Sequence, residues 1–234
     1  MSSISYIIPS YNNSKSTIDT VNSIIRSFIY LNKKYIFDII IIDDFSSKEN
    51  FKKLQNKCKD LKYKNSIKIF RNKKNKGFAL SCLVGAKKSK NDYLKIMHSG
   101  DIEKSKDLRK YLLLINKDLI LLSYPHETCK RSILRKIISK ICSKIIKFIS
   151  GIKIDYFQSP ILCKRLDFLK FFPANYGNFF LSLMIIKMIY AGKKYYKFPV
   201  KYRYRKGSTA ISLKNLISLL KGIFMIVYWR CIIN

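Results

Sequence analysis

The chain has 234 residues, 48% of them hydrophobic, which is enough for a sizeable core and excludes global disorder. Its six cysteines (Cys58, Cys82, Cys129, Cys142, Cys163 and Cys231) form no CxxC pair, which argues against a zinc site or a disulfide framework and for a reducing compartment. A formal net charge of +33 would favour anionic surfaces, whether selected for that purpose or accumulated through a composition saturated with Lys, Ile and Asn.

In chain order, the opening MSSISYIIPSYNN has no basic stretch followed by a long apolar one, so no signal peptide is expected and the protein is placed in the cytoplasm. Ile4–Ile8 predicts a strand closed by Pro9, and the apolar spacing over Thr17–Tyr30 predicts a helix. Phe37–Ile42 is apolar and β-branched apart from Asp38, as in a strand buried on both faces of a parallel sheet. Helix over Lys48–Cys58, strand over Ser66–Phe70, helix over Phe78–Lys88 and strand over Asp92–Met97 follow. A helix over Ser105–Ile115 and a strand over Leu119–Ser123 complete an alternation that means an α/β sheet covered on both faces.

The second half differs. In CKRSILRKIISKICSKIIKFI, residues 129–149, isoleucines recur every fourth position with Lys and Arg on the other face, predicting a basic amphipathic helix. Ile154–Cys163 reads as extended, Phe179–Ala191 as helix, and 194–208 as strand, Pro turn, strand and polar loop. Leu213–Ile233 is a final apolar helix interrupted by Lys221 and Arg230. It is too charged to span a bilayer, so it either lies in a membrane interface, helped by 129–149, or packs on the domain.

Ligands of such sheets bind beyond the carboxyl ends of the strands. Four strand ends therefore belong together: PSYNN (9–13), DDFSS (43–47), RNKKNKGFA (71–79) and HSGD (98–101). Tyr or Asn at the first can line a base or ribose, and a carboxylate at the second can accept from an imide N–H or a ribose hydroxyl. Basic residues with Gly77 at the third suit a phosphate-rich ligand. The four in order favour a nucleotide-sugar pocket. No Walker loop and no GxGxxG occurs, which argues against a triphosphatase or a dinucleotide enzyme. Charge and aromatics form no RNP-like or helix-turn-helix arrangement, so nucleic acid is not an expected partner.

YIIPSYNN, DIIIIDDFSS and NKGFALSCLVGAKKSKNDYLKIM together resemble the N-terminal core of the family-2 glycosyltransferases with the GT-A fold, over roughly residues 3–125. DYFQSPILCKR and YAGKKYYKFPVKYRYRKGST look like the polyprenyl-phosphate branch, typified by dolichol-phosphate mannose synthase. The resemblance implies a mostly parallel Rossmann-like α/β domain over 1–208, with a nucleotide half about 1–125 and an acceptor half about 126–208. Residues 209–234 would follow as an amphipathic helix. It implies an inverting transferase using a UDP- or GDP-linked sugar, or a degenerate relative that binds without turnover. Pro9, Tyr11 and Asn12 would border the nucleoside, Asp43 or Asp44 would contact the base, and Arg71, Lys76 and Gly77 would flank the nucleotide.

In that family the turn after the fourth strand carries an Asp-x-Asp pair that grips Mg²⁺ or Mn²⁺ on the diphosphate. Here His98 and Gly100 occupy the two positions and Asp101 matches a trailing acid. Asp101, with His98 or Glu103, would keep a weaker metal site, cap the next helix, or leave the diphosphate to Lys and Arg. If the acceptor is a glycan hydroxyl, Asp155 is the candidate base. If it is a polyprenyl phosphate, the acceptor is already ionised and needs cations; Arg131, Arg203 and Arg205, with Ser208 beside them, suit that. An anionic membrane surface, at the inner face, completes the expected partners.

Overall fold

The computed structural model describes residues 2–29, 35–100, 102–115, 119–126, 133–154, 156–173, 177, 179–203 and 213–233. β1 (Ser3–Ser10), β2 (Ile36–Asp43), β3 (Ile67–Arg71) and β4 (Tyr93–Ile96) pair in parallel, joined by α1 (Ser14–Ile29), α2 (Lys48–Lys59) and α3 (Gly77–Lys88). A short β5 (Ile102–Glu103) and α4 (Ser105–Leu114) lead to β6 (Ile120–Pro125). Then come α5 (Ile133–Ser150), β7 (Ile161–Lys164), α6 (Arg165–Phe171), α7 (Phe180–Tyr190), β8 (Tyr195–Val200), β9 (Tyr202–Arg203) and α8 (Leu213–Ile233). The seven-stranded sheet has the order β3-β2-β1-β4-β7-β6-β8. Only β7 within it runs antiparallel to its neighbours. This is the mostly parallel α/β architecture expected from the sequence.

The period-2 geometry of the strands sorts their side chains into two cores. Tyr6, Ile8, Ile39 and Ile41 face α1, α2 and α4, while Ile7, Ile40, Ile42 and Ile96 face α3 and the helices of the second half. Asp38 is tolerated in the apolar β2 because Lys68 Nζ and Asn91 Nδ2 donate to its two oxygens at 2.9 and 3.1 Å. α3 lies so close over β1 that a Cβ at Gly85 would sit 2.3 Å from Ile7 Cγ2, a fully buried group. Gly85→Val is therefore expected to cost about 3 kcal/mol by overpacking, read as a lower urea midpoint with an unchanged slope.

The second half corrects two expectations. Pro199 does not turn the chain: β8 runs straight through it, paired with β6 alone at the sheet edge, where a residue lacking an N–H can sit. The extended reading of 154–163 holds only for its end, since β7 begins at Ile161 and continues into α6. Strands β6, β7 and β8 continue the sheet of β1 to β4, and the carboxyl ends of β6 and β8, but not of the antiparallel β7, lie on the same edge as those of β1 to β4.

Candidate functional site

The first two strand-end loops are clipped together by side-chain amide and hydroxyl groups. Asn12 sits at φ 47° and Phe45 at φ 66°, conformations uncommon outside glycine. Asn12 N–H donates to Ser46 Oγ at 2.9 Å, and Ser47 N–H donates to Asn12 Oδ1 at 2.9 Å. Asn12 thus fixes the loop. Tyr11 beside it is about half exposed, as is Phe45 across from it. Pro9 does not close β1 as expected: the strand runs through it, in register with Ile42, to Ser10, and Pro9 is buried.

The adjacent carboxylates of Asp43 and Asp44 have different duties. Both oxygens of Asp44 are consumed: Asn72 Nδ2 and Lys76 N–H donate to Oδ1 and Gly77 N–H to Oδ2, each at 2.8 Å. Asp44 therefore caps α3, whose opening residue Gly77 adopts φ +81° with open space where a Cβ would be. Asp43 Oδ2 accepts from Ser46 N–H and lies 3.3 Å from Arg71 Nε. Asp43 Oδ1 is buried and has no hydrogen-bond partner. Arg71 is held over the Phe51 ring, 4.5 Å from its centroid, and donates to the Ser46 carbonyl. Lys73, Lys74 and Lys76 line the exposed loop that leads into α3.

The turn after β4 faces the first loop. Asn13 Nδ2 donates to the Ser99 carbonyl at 3.2 Å, and the His98 ring stacks on Phe78 with centroids 4.6 Å apart and planes 11° apart. Gly100 has open space where a Cβ would be and is not among the glycines at positive φ. Among the described residues no three His, Cys, Asp or Glu side chains gather to hold a metal ion. A stacked imidazole and a glycine do not fit a hard divalent cation, which takes oxygen ligands.

Behind this turn lies a buried polar cluster that the sequence reading missed. Lys95 Nζ donates to Glu103 Oε1 at 3.0 Å, Tyr111 Oη at 2.9 Å and the Pro160 carbonyl at 3.0 Å. Burial lowers the Lys95 ammonium below its usual range and raises the Glu103 carboxyl, each opposed by the attraction of its partner. Ser23 Oγ donates to the Glu103 carbonyl, so the far end of the turn is tied to α1 as well. The available signal was a lysine alternating inward within the apolar YLKIM, which demands a buried partner.

Of the sequence candidates, the structure brings Pro9, Tyr11, Asn12, Asp43, Asp44, Arg71, Lys76, Gly77 and His98 to the carboxyl ends of β1 to β4. The pairing of Ile102 with Arg203 in the β5–β9 ribbon sets the backbone of Arg203 beside the turn that follows His98. Asp101, Arg131, Asp155, Arg205 and Ser208 lie outside the described residues.

The model of Glycosyl transferase family 2 matches residues 5–175. The poly(ribitol-phosphate) beta-N-acetylglucosaminyltransferase TarP of Staphylococcus aureus (strain N315) is 33% identical over 144 residues, covering 60% of this chain and 42% of TarP. Human N-acetylgalactosaminyltransferase 7 is 34% identical over 87 residues, 37% of this chain and 13% of that protein. The chain thus spans less than half the length of these curated relatives. Among solved structures, glucosyl-3-phosphoglycerate synthase from Mycobacterium tuberculosis with Mn²⁺, UDP and phosphoglyceric acid superposes with a TM-score of 0.71 at 12% identity, over 98% of this chain and 78% of that one. S. aureus TarS 1–349 with UDP-GlcNAc gives 0.60 at 14%, over 97% and 66%. Mannosyltransferase PcManGT from Pyrobaculum calidifontis with GDP-Man and Mn²⁺ gives 0.59 at 13%, over 84% and 54%. At such identities the structures establish the shared fold. With a family model covering most of its length, the chain belongs to glycosyltransferase family 2.

Proposed function

We propose that this chain is an inverting glycosyltransferase that moves a sugar from a UDP- or GDP-linked donor to a lipid phosphate or a cell-surface glycan. We place it in the cytoplasm, at the inner face of a membrane. The observation that carries the reading is the buried, unpartnered Asp43 Oδ1 at the carboxyl end of β2. An acceptor atom left unpaired costs about 1–3 kcal/mol, which a donor on a ligand would recover. The imide N–H of uracil or the N1–H of guanine supplies such a donor. Tyr11 and Phe45 offer aromatic faces to the base, and Lys73, Lys74 and Lys76 lie where a diphosphate would need positive charge. UDP, UDP-GlcNAc and GDP-Man are bound by structural neighbours of the same fold.

In the reaction, an acceptor oxygen attacks the anomeric carbon from the face opposite the nucleotide. The new C–O bond forms as the bond to the diphosphate oxygen breaks, and the nucleoside diphosphate leaves with the electron pair. A phosphate acceptor arrives ionised and needs cations such as Arg131, Arg203 and Arg205, with Ser208. A glycan hydroxyl must lose its proton, and Asp155 is the residue assigned to take it. A divalent cation at the turn would depend on Asp101, and the steps above are written without one. A second reading, binding without turnover, is favoured by His98 and Gly100 at the turn, which leave it without paired carboxylates.

Calorimetry tests the pocket. Asp43→Ala is expected to weaken UDP or GDP binding about tenfold while the protein stays folded, because one charge-assisted hydrogen bond is lost. Unchanged affinity would remove the assignment. Sugar transfer, measured separately with a panel of nucleotide-sugars, distinguishes an enzyme from a binder.

A further inference from the structure

The side of the molecule built by α5 and α8 carries apolar surface that nothing in the chain's described residues covers. Ile133, Ile137, Ile141, Ile145 and Phe148 repeat at helical spacing along α5 and are all exposed, Phe148 by 91% and Ile133 by 76%. On α8 the same holds for Leu220, Phe224, Tyr228 and Ile232, with Phe224 69% exposed. The two helices pack against each other, and Ile146 of α5 and Ile226 of α8 are buried in the same core. Their apolar exposed faces therefore point away from the core they share, on the same side of the sheet. Isolated exposed apolar residues are ordinary, but a patch assembled from two adjacent helices marks an interaction surface.

Charge selects the occupant. Lys136, Lys140, Lys144 and Lys147 run down one flank of the α5 stripe at intervals of three and four, so they share a helix side next to it. Lysines beside an apolar arc place ammonium groups at headgroup level while the isoleucines and the phenylalanine enter the acyl boundary. A second copy of the chain is a poor fit, because each copy carries +33 and their lysine rows would meet. A negatively charged bilayer has the complementary sign. No helix among the described residues is long and apolar enough to cross a membrane, so the contact is a lateral one.

We infer that the joint α5–α8 face docks the protein flat on a membrane rich in anionic lipid headgroups. This specifies the partner of the membrane setting proposed above and rests on that reading for its biological context. α8 also reaches toward the candidate site. Gly222 lies against Phe179, where a Cβ would come within 2.4 Å of the Phe179 Cβ. The next residue, Phe180, packs on Phe78, and Phe78 stacks on His98. These contacts couple the docking helix to the turn after β4, where a lipid-linked acceptor would present its phosphate.

The test uses the full chain and sedimentation with phosphatidylcholine vesicles, with or without phosphatidylglycerol. The protein should partition at least tenfold better onto the anionic vesicles, and high salt should weaken but not abolish this, since the apolar part is not screened. Ile141→Asp with Phe148→Asp, and separately Phe224→Asp with Tyr228→Asp, should each lower partitioning at least tenfold. Their melting temperatures should be unchanged, because these side chains are exposed. Equal sedimentation of the variants and the parent overturns the proposal. So does a concentration-dependent dimer abolished by the same substitutions in a protein that ignores vesicles. UDP and GDP binding measured on the same variants separates the two readings: vesicle binding can fail while the nucleotide pocket stands, and the reverse.

Discussion

Lys95→Met is expected to lower stability by about 3–5 kcal/mol, the cost of leaving a buried carboxylate without its counter-charge. Lys95 and Glu103 are each 1% exposed or less, and Glu103 Oε2 already has no partner. Methionine matches the length of the lysine stem, so little of the loss would come from packing. For a chain of this size the expected fall in melting temperature is about 10 °C. Glu103→Gln should cost less. It keeps an oxygen for the ammonium, which also retains Tyr111 Oη and the Pro160 carbonyl. Combining Lys95→Met with Glu103→Gln should recover much of the single-variant loss, because no buried charge then remains unpaired. Urea unfolding of the three variants measures the coupling. If the two changes simply add, the pair does not act as a unit and the account of this cluster is wrong. Because Glu103 also pairs through β5 with β9 and accepts from Ser23, a loosened Lys95→Met protein should in addition bind nucleotide more weakly.

That cluster also marks where the sequence stops being legible. β1, β2 and the helices α1 to α3 could be read because their burial follows a simple pattern: every residue of β2 from Asp38 to Asp43 is enclosed, and the stretch is apolar apart from the aspartates at its two ends. The order of the strand-end loops could be read for the same reason. The division of labour between Asp43 and Asp44 could not, because two adjacent carboxylates look alike until the backbone sends one toward the Lys76 and Gly77 amides and leaves the other beside Arg71. The stack of His98 on Phe78 depends on α3 and β4 meeting across the sheet, a contact between residues 20 positions apart that no local period encodes. In the second half, Pro199 looks like a turn signal, and its place inside β8 follows from β8 being the sheet edge, a property of topology rather than of neighbouring residues. α6 is a short helix of 7 residues starting where β7 ends, too brief for its periodicity to stand out.

Restoring carboxylates to the turn after β4 is expected to convert nucleotide binding from indifferent to Mn²⁺-dependent. In the present turn His98 is occupied by its stack on Phe78 and Gly100 contributes no side chain. The parent protein should therefore bind UDP or GDP with nearly the same affinity whether Mn²⁺ or a chelator is present. His98→Asp together with Gly100→Asp places two new carboxylates one residue apart, next to Asp101 in sequence. Gly100 accepts the change sterically: its backbone does not require positive φ and the space beyond its Cβ is open. Losing the imidazole costs the Phe78 contact, an aromatic pair worth about 1 kcal/mol, so a small drop in melting temperature is expected and must be measured alongside. Oxygen ligands of this kind hold Mg²⁺ and Mn²⁺ where an imidazole and a glycine do not. With Mn²⁺ the variant should bind nucleoside diphosphate on the order of a hundredfold more tightly than with chelator, equivalent to about 2.7 kcal/mol. Asp43 is the internal control, since Asp43→Ala should weaken binding in the parent and in the metal-dependent variant alike if the base and the diphosphate contact opposite ends of one pocket. A folded variant that still ignores Mn²⁺ would mean that this turn does not face the diphosphate, and the placement of the donor across the four strand ends would have to be abandoned.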